Sequence, residues 1–265
     1  MTGPGGLPVT PGALRQEIRK RKLARPTCGL APGYVQANLV VLPQERAFDF
    51  LLFCQRNPKP CPLLEVVEGG STEPRELAPG ADLRTDIPRY RVYRDGALAD
   101  EPEDVVRYWR DDLVSFLIGC SFTFERALLE AGVPVRHVEQ GRNVPMFVTS
   151  IPTKAAGAFA GPMVVTMRPI PREKVVTAVQ VTSRFPAVHG APVHIGEPEA
   201  IGIADLARPD MGDPVTINEG EVPVFWACGV TPQAVAIRTR PPLMITHSPG
   251  HMLVTDRRDA EYAVF

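Results

Sequence analysis

The sequence predicts an α/β protein: a two-domain, three-layer α/β sandwich that carries a smaller inserted α+β two-layer domain. Three observations carry that expectation. Strand-like and helix-like apolar patterns alternate through residues 34–70. After Gly132 the rhythm shifts to strand, strand, helix, and near "EAIGIADL" the alternation resumes. Residues 13–132 and 197–265 are therefore assigned to a discontinuous α/β domain, and 133–196 to the insert. Residues 1–12, rich in Gly and Pro, are expected to be disordered.

Taken in order, "PGALRQEIRKRKLA" predicts a helix with Pro11 in its first turn and basic residues crowding its end. "GYVQANLVVLP" is β-branched enough for a strand, and "PQERAFDFLLFCQRN" has helical apolar spacing at Ala47, Phe50, Leu51 and Cys54. "CPLLEVVEGG" reads as a strand closed by two glycines, and "RYRVYRDGALADEP" as a hairpin around Asp95-Gly96. "EPEDVVRYWRDDL" predicts a helix opened by acidic residues. "VSFLIGC" is either a strand or that helix's end, and "SFTFERALLEAG" a helix stopped by Gly132. "VPMFVTSIP" and "GPMVVTMRPI" predict strands, and "PREKVVTAVQVTSRFP" a helix. Further on, "VPVFWACGV" is a strand, "TPQAVAIRTR" a short helix, and "PPLMITHSPGHMLVTD" a strand running into a loop.

Composition narrows the partners. The chain has 265 residues, with 29 basic against 30 acidic side chains. No basic block is interleaved with aromatic residues, so nucleic acid is not expected. No apolar run approaches the roughly 20 residues of a membrane span, and the N-terminus lacks the apolar core of a signal peptide. Five scattered cysteines without a C-x-x-C pair suit a reducing, cytoplasmic setting. Composition does not decide on a homo-oligomer, which is left open, and names no substrate; a small carboxylate is the partner that the candidate anion donors suit.

Four stretches hold candidate chemistry. In "FWACGVTPQ" a strand ends at Cys228-Gly229, and Thr231 reads as the N-cap of a helix whose free N–H groups suit an anion over Gly229–Gln233. An ordinary strand-to-helix turn with a buried cysteine explains the same residues. In "ITHSPGHMLVTD", His247 and His251 have H-x-x-x-H spacing, but Pro249-Gly250 breaks the helix that a zinc pair requires, and Ser248 stands where its glutamate would be. No metal is expected. The pair is read as acid/base or substrate-donating groups, with two structural histidines as the alternative. "SRFPAVHGAPVH" places Ser183, Arg184, His189 and His194 around two turns, where Arg184 either forks onto a carboxylate or pairs with an acid such as Glu197. Asn143, Thr149 and Ser150 in "EQGRNVPMFVTS", Arg168 in "VVTMRP", and Cys120-Ser121 before a helix complete the set. Phosphate-loop, dinucleotide and nucleophile-elbow signatures are absent, so no nucleotide cofactor site is marked and a serine hydrolase is not favoured.

Six strings together carry a resemblance: "GYVQANLVVLP", "IGCSFTFE", "RNVPMF", "GPMVVTMRP", "TSRFPAVHGAPVHIG" and "FWACGVTPQ…PPLMITHSPGHMLVTD". In this order, over about residues 13–258, the chain resembles the hydro-lyase family related to D-glutamate cyclase. The resemblance implies two α/β-type domains and a cofactor-free lyase that closes D-glutamate to 5-oxo-D-proline with loss of water. It also implies a cytoplasmic setting for bacterial members and a mitochondrial one for mammalian members. One departure is visible: where relatives commonly read Tyr-x-Thr-Asn, this chain has Phe147-Val148-Thr149-Ser150. For such a reaction Arg184 or Arg168 and the helix start at Thr231 would hold the carboxylates. His247 or His251 would move the proton, and Cys228 would line the reacting centre. Asn143, Thr149, Ser183, His189 and His194 complete the expected substrate contacts. A non-catalytic carboxylate-binding protein and a metal-dependent hydratase of a small acid are the competing functions.

Overall fold

A computed structural model describes residues 10–264, so the disorder expected for residues 1–9 lies outside the described residues. The expected α/β class is what the chain adopts, with helices packed on two sheets whose strand pairs are all antiparallel. The larger sheet comprises β1 (Tyr34–Pro43), β2 (Leu63–Val67), β3 (Tyr90–Arg94), β4 (Ala97–Asp100), β5 (Leu113–Gly119), β10 (Met244–His247) and β11 (Leu253–Arg258). Its order is β2-β5-β1-β10-β3-β4, with β11 also paired to β1. The smaller sheet runs β6 (Met146–Pro152), β7 (Pro162–Pro171), β9 (Glu221–Ala227), β8 (His194–Ile195). β9 thus joins the smaller sheet although it lies beyond the 133–196 expected for the insert.

The β-α-β rhythm at residues 34–70 has a concrete form. β1 and β2 are each antiparallel to β5, which lies between them, so they run parallel to one another with α2 (Gln44–Arg56) as the connection. This is a split β-α-β unit. α2 buries Phe50, Phe53 and Cys54 against Val40, Leu42, Phe116 and Ile118 of the sheet. The opposite face packs Ala37, Leu39 and Val41 against Tyr90, Val92, Leu117, Ile245 and Leu253. Nine of the ten β1 residues are buried, so this strand is the spine of the sheet.

α1 (Pro11–Arg19) starts at the expected proline, so Pro11 and Gly12 are ordered rather than part of a disordered arm; the helix ends at Arg19, five residues before the predicted stretch does. The Asp95-Gly96 hairpin forms, both residues having positive φ (49° and 78°) as a tight two-residue turn requires. Around Ser121 the chain makes a 3-10 turn and then α3 (Glu125–Glu130), closed by Gly132. The helix expected over "EPEDVVRYWRDDL" is replaced by a single 3-10 turn at Val106–Tyr108. That segment has no apolar stripe to bury: Val105 is buried, Val106 is exposed, and the Trp109 indole instead donates to the Gly70 carbonyl at 2.7 Å. Against the smaller sheet, α3 and α5 (Val175–Ser183) pack around Ile170, Val224 and Trp226. α4 (Arg136–Glu139) is short, and α6 (Thr231–Thr239) follows β9 directly.

Candidate functional site

The stretch after β10 is an interruption within a strand. Val40 of β1 pairs with Thr246, and Ala37 pairs with Leu253, so three steps along β1 are matched by seven along its partner. The surplus is four residues, taken up where Ser248–Met252 arches away opposite Asn38-Leu39. At the break the ladder acceptor is a side chain: the Leu39 N–H donates to His247 Nδ1 at 3.1 Å. The same Nδ1 lies 3.3 Å from the Leu39 carbonyl; the shorter bond from the N–H is the one that can form with the proton on Nε2, which is buried and has no partner. Burial drives the His247 pKa down to about 4, so the ring is a neutral Nε2–H donor near neutral pH.

Two amides face the same break. Asn38 Nδ2 donates to the carbonyls of Ile118 (3.2 Å) and Gly119 (2.6 Å), leaving Oδ1 buried and unpaired. Asn143 Nδ2 donates to Pro249 O at 3.1 Å, and its Oδ1 is likewise unpaired. Each amide presses on a glycine: a Cβ at Gly229 would overlap Asn38, and one at Gly250, where φ is +83°, would overlap Asn143. The arch is also stitched to the N-terminal region, because Thr27 N donates to Gly250 O at 2.8 Å and Met252 N donates to Thr27 Oγ1 at 3.0 Å.

Cys228 follows the last residue of β9, beside Gly229, and packs in one apolar cluster with Cys120 and Met252. Burial raises its thiol pKa to about 11, with the Val230 N–H and the Arg168 charge opposing, so it is a neutral thiol. Thr231 is the first residue of α6, not its cap; the cap is Val230. The Thr231 hydroxyl bonds the Cys228 carbonyl (2.7 Å) and accepts the Val164 N–H (3.2 Å), tying the helix start to β7 instead of facing a ligand. Gln233 on the next turn donates to the His247 carbonyl at 2.7 Å.

Arg168 is fully buried and its fork is occupied. It donates to Glu125 Oε1, to Ser121 Oγ at 3.1 Å and to Thr166 Oγ1 at 3.0 Å, while its plane lies 5.4 Å from the ring centres of Phe124 and Trp226. His137 Nε2 approaches the same Glu125 oxygen at 2.9 Å. Burial opposes ionisation of Glu125, but His137 and Arg168 outweigh it and hold the carboxyl below the usual glutamate range.

Across the arch, Ser248 Oγ donates to Glu101 Oε1 at 2.7 Å, and Arg91 pairs with the same oxygen at 3.1 Å. His251 is partly exposed, with Nδ1 on Pro249 O at 3.1 Å; burial is the main cause of its lowered pKa, with the Arg89 charge contributing. Arg89 makes no ion pair among the described residues. His189 is buried with φ +84°, its Nδ1 on Lys59 O at 2.8 Å and its Nε2 unpaired, and burial lowers its pKa to about 4.

The fold therefore gathers Cys228, His247, His251 and Asn143 at the strand break, with Thr231 and Arg168 behind them. The remaining candidates make their bonds elsewhere. Thr149 bonds Met163 O within the smaller sheet (2.7 Å), Ser183 bonds Val179 O of its own helix (2.6 Å), and His194 bonds Glu197 O (2.8 Å). Arg184 is exposed at the end of α5. Gln36, Asn38, Glu125 and Arg89 are not among the residues singled out from sequence. For Gln36 and Asn38 a signal was present: two amides on one face of an otherwise apolar strand.

Known proteins resemble this chain closely. A family model described as D-glutamate cyclase matches residues 114–256, from β5 through the arch. A "Putative hydro-lyase" of Stutzerimonas stutzeri is 64% identical over 256 residues, spanning 97% of this chain and 97% of its own. Another of that name, from Rubrobacter xylanophilus, is 67% identical and spans 96% of this chain and 99% of its own. A nitrogen repressor-like protein of Methanococcus jannaschii, aligned over 88% of this chain and 90% of its own, has a TM-score of 0.38 and 12% identity, too distant to bear on fold or function. Family model and near full-length relatives agree, and the chain belongs to the D-glutamate cyclase family.

Proposed function

We propose that the chain is a hydro-lyase that dehydrates an amino diacid such as D-glutamate to its lactam, 5-oxo-D-proline. The observation that carries this reading is the strand break, where His247 Nε2, Asn38 Oδ1 and Asn143 Oδ1 are buried without partners. Each such atom costs about 1–3 kcal/mol, and groups of them persist where a ligand completes them. Family membership supplies the reaction class.

Lactam closure forms a bond from the α-nitrogen to the γ-carboxyl carbon and breaks one carboxyl C–O bond. The nitrogen gives up two protons, and the departing oxygen leaves as water. His247 supports this as a neutral Nε2–H donor to a carboxyl oxygen, sparing the cost of a buried imidazolium. The Asn38 and Asn143 carbonyl oxygens suit acceptance from the amine as it loses protons. His251, more exposed and next to Arg89, suits proton exchange with solvent, and Arg89 suits a substrate carboxylate. Cys228 acts as a neutral wall, and Arg168 positions the site through Glu125 and Ser121.

The test is incubation of the purified protein with D-glutamate, L-glutamate and a panel of amino and hydroxy diacids, with products followed by mass spectrometry for loss of water. Formation of 5-oxo-D-proline, abolished by His247→Gln, is the expected result. Saturable binding of the diacids without any dehydrated product would replace the lyase with a carboxylate-binding protein. Among the described residues no three His, Cys, Asp or Glu side chains converge as metal ligands, so product formation is expected to withstand chelator.

A further inference from the structure

A second buried opening lies beside the Glu125 network. The segment Gly29–Tyr34 curls over β1, with positive φ at Gly29, Ala31 and Gly33, and encloses a cavity of about 100 Å³ against Phe122, Glu125 and Val138. Gln36 lines it. Its Nε2 donates to Thr27 O (2.9 Å) and Leu30 O (3.1 Å), which fixes the amide orientation and leaves Oε1 buried without a partner. Thr123 Oγ1, also lining the cavity, accepts only the Gln36 N–H, at 3.4 Å. Glu125 uses Oε1 for Arg168 and His137, while its Oε2 makes no hydrogen bond among the described residues. All three side chains are more than nine-tenths buried.

Free acceptors therefore outnumber free donors here. Of the cations nearby, Arg168 is held by Glu125 and Arg126 at the rim by Glu130 (2.8 Å) with Asp259 at 4.0 Å, while Arg258 stacks on the Tyr34 ring at the outer wall. Gln36 Oε1 and Glu125 Oε2 can only accept, so a ligand rich in N–H donors suits them better than an anion. We propose that this cavity binds a primary ammonium group, whose three N–H donors match Gln36 Oε1, Thr123 Oγ1 and Glu125 Oε2, with Phe122 as an aromatic wall suited to a cation. The volume admits an ammonium head on a short stem, and a quaternary amine, which has no N–H, would leave the three acceptors unsatisfied. The source of the group is either an amino-acid ligand or a free amine, and this assignment does not depend on lyase activity.

Methylammonium chloride is the probe, with tetramethylammonium chloride and sodium chloride at equal ionic strength as controls. Methylammonium alone is expected to raise the melting temperature of the wild-type protein, saturably. Gln36→Met removes the unpaired acceptor, and Val138→Phe fills the cavity from a partly exposed wall while leaving every polar group in place. Both are expected to weaken methylammonium binding at least tenfold in calorimetric titration. Equal responses to the three salts, or undiminished binding in a folded Val138→Phe protein, would overturn the proposal. Competition then assigns the source: displacement of methylammonium by D-glutamate but not glutarate identifies the amino acid's own ammonium, and joint binding identifies a separate amine. Because the readout is binding, loss of turnover in the lactam assay leaves this result intact.

Discussion

Acid should destabilise this protein well before its carboxylates titrate. His247 and His189 are fully buried, and burial holds each near a pKa of about 4, against about 6.5 in an unfolded chain. The unfolded chain therefore takes up protons that the folded one refuses. Stability is complete above about pH 6.5 and declines as the pH falls toward 4. At pH 5 each ring costs about 2 kcal/mol relative to pH 7.5, and the two together about 4 kcal/mol. That is a large share of the roughly 5–15 kcal/mol that holds a domain together. Urea unfolding at pH 7.5 and 5.0 measures the loss directly. In His247→Gln the difference between the two pH values should shrink by about half. His189→Asn, a residue type that tolerates the left-handed backbone at that position, should remove a similar share. A wild-type midpoint that barely moves between the two pH values would refute the argument, as would a His247→Gln protein that loses as much as the parent. The same neutrality predicts catalytic rates without an inflection near pH 6.5 from His247.

Three further outcomes follow from the site. Gly229→Ala places a methyl group on the Asn38 amide; a destabilisation of about 1–3 kcal/mol and loss of lactam formation are expected, read by calorimetry and product assay. Arg168→Met leaves Glu125 buried without its cation, which should cost about 3–5 kcal/mol, whereas Arg184→Ala at an exposed helix end should leave the melting temperature within a degree or two. His251→Ala should slow turnover while preserving the unfolding midpoint, because that ring is partly exposed and bonded only to its own loop; full activity in the variant would remove it from proton transfer.

Much of the secondary structure was legible because local chemistry decides it. Asp95-Gly96, Gly132 and the apolar spacing of α2 specify their turn, stop and helix without outside help. The segment around Trp109 misled because its charge pattern suits a helix while its packing does not: the indole finds the Gly70 carbonyl instead. Among candidate site residues, Cys228, His247 and Asn143 converge because their neighbours Gly229, Pro249 and Gly250 force the backbone to bend where they sit. Arg168 looked like a substrate clamp because sequence spacing does not reveal that Glu125, 43 positions upstream, already occupies its fork. Asn38 was hidden by company, since an amide in an apolar strand gains meaning only when the break in the opposite strand is seen.

The stitching of the arch to Thr27 has a consequence for biosynthesis. One edge of β1 is paired by β5, but the other is paired, among the described residues, only by β10 and β11, and Gly250 and Met252 are held by a threonine more than 220 positions earlier. While the chain is still emerging from the ribosome, β1 presents an open edge, and none of the break's geometry exists. The break is thus assembled only once residues 244–258 have been made, through contacts among the slowest to form by loop-closure entropy. Truncation before residue 253 should leave part of this β1 edge open and aggregation-prone, and should remove the break on which the proposed chemistry rests.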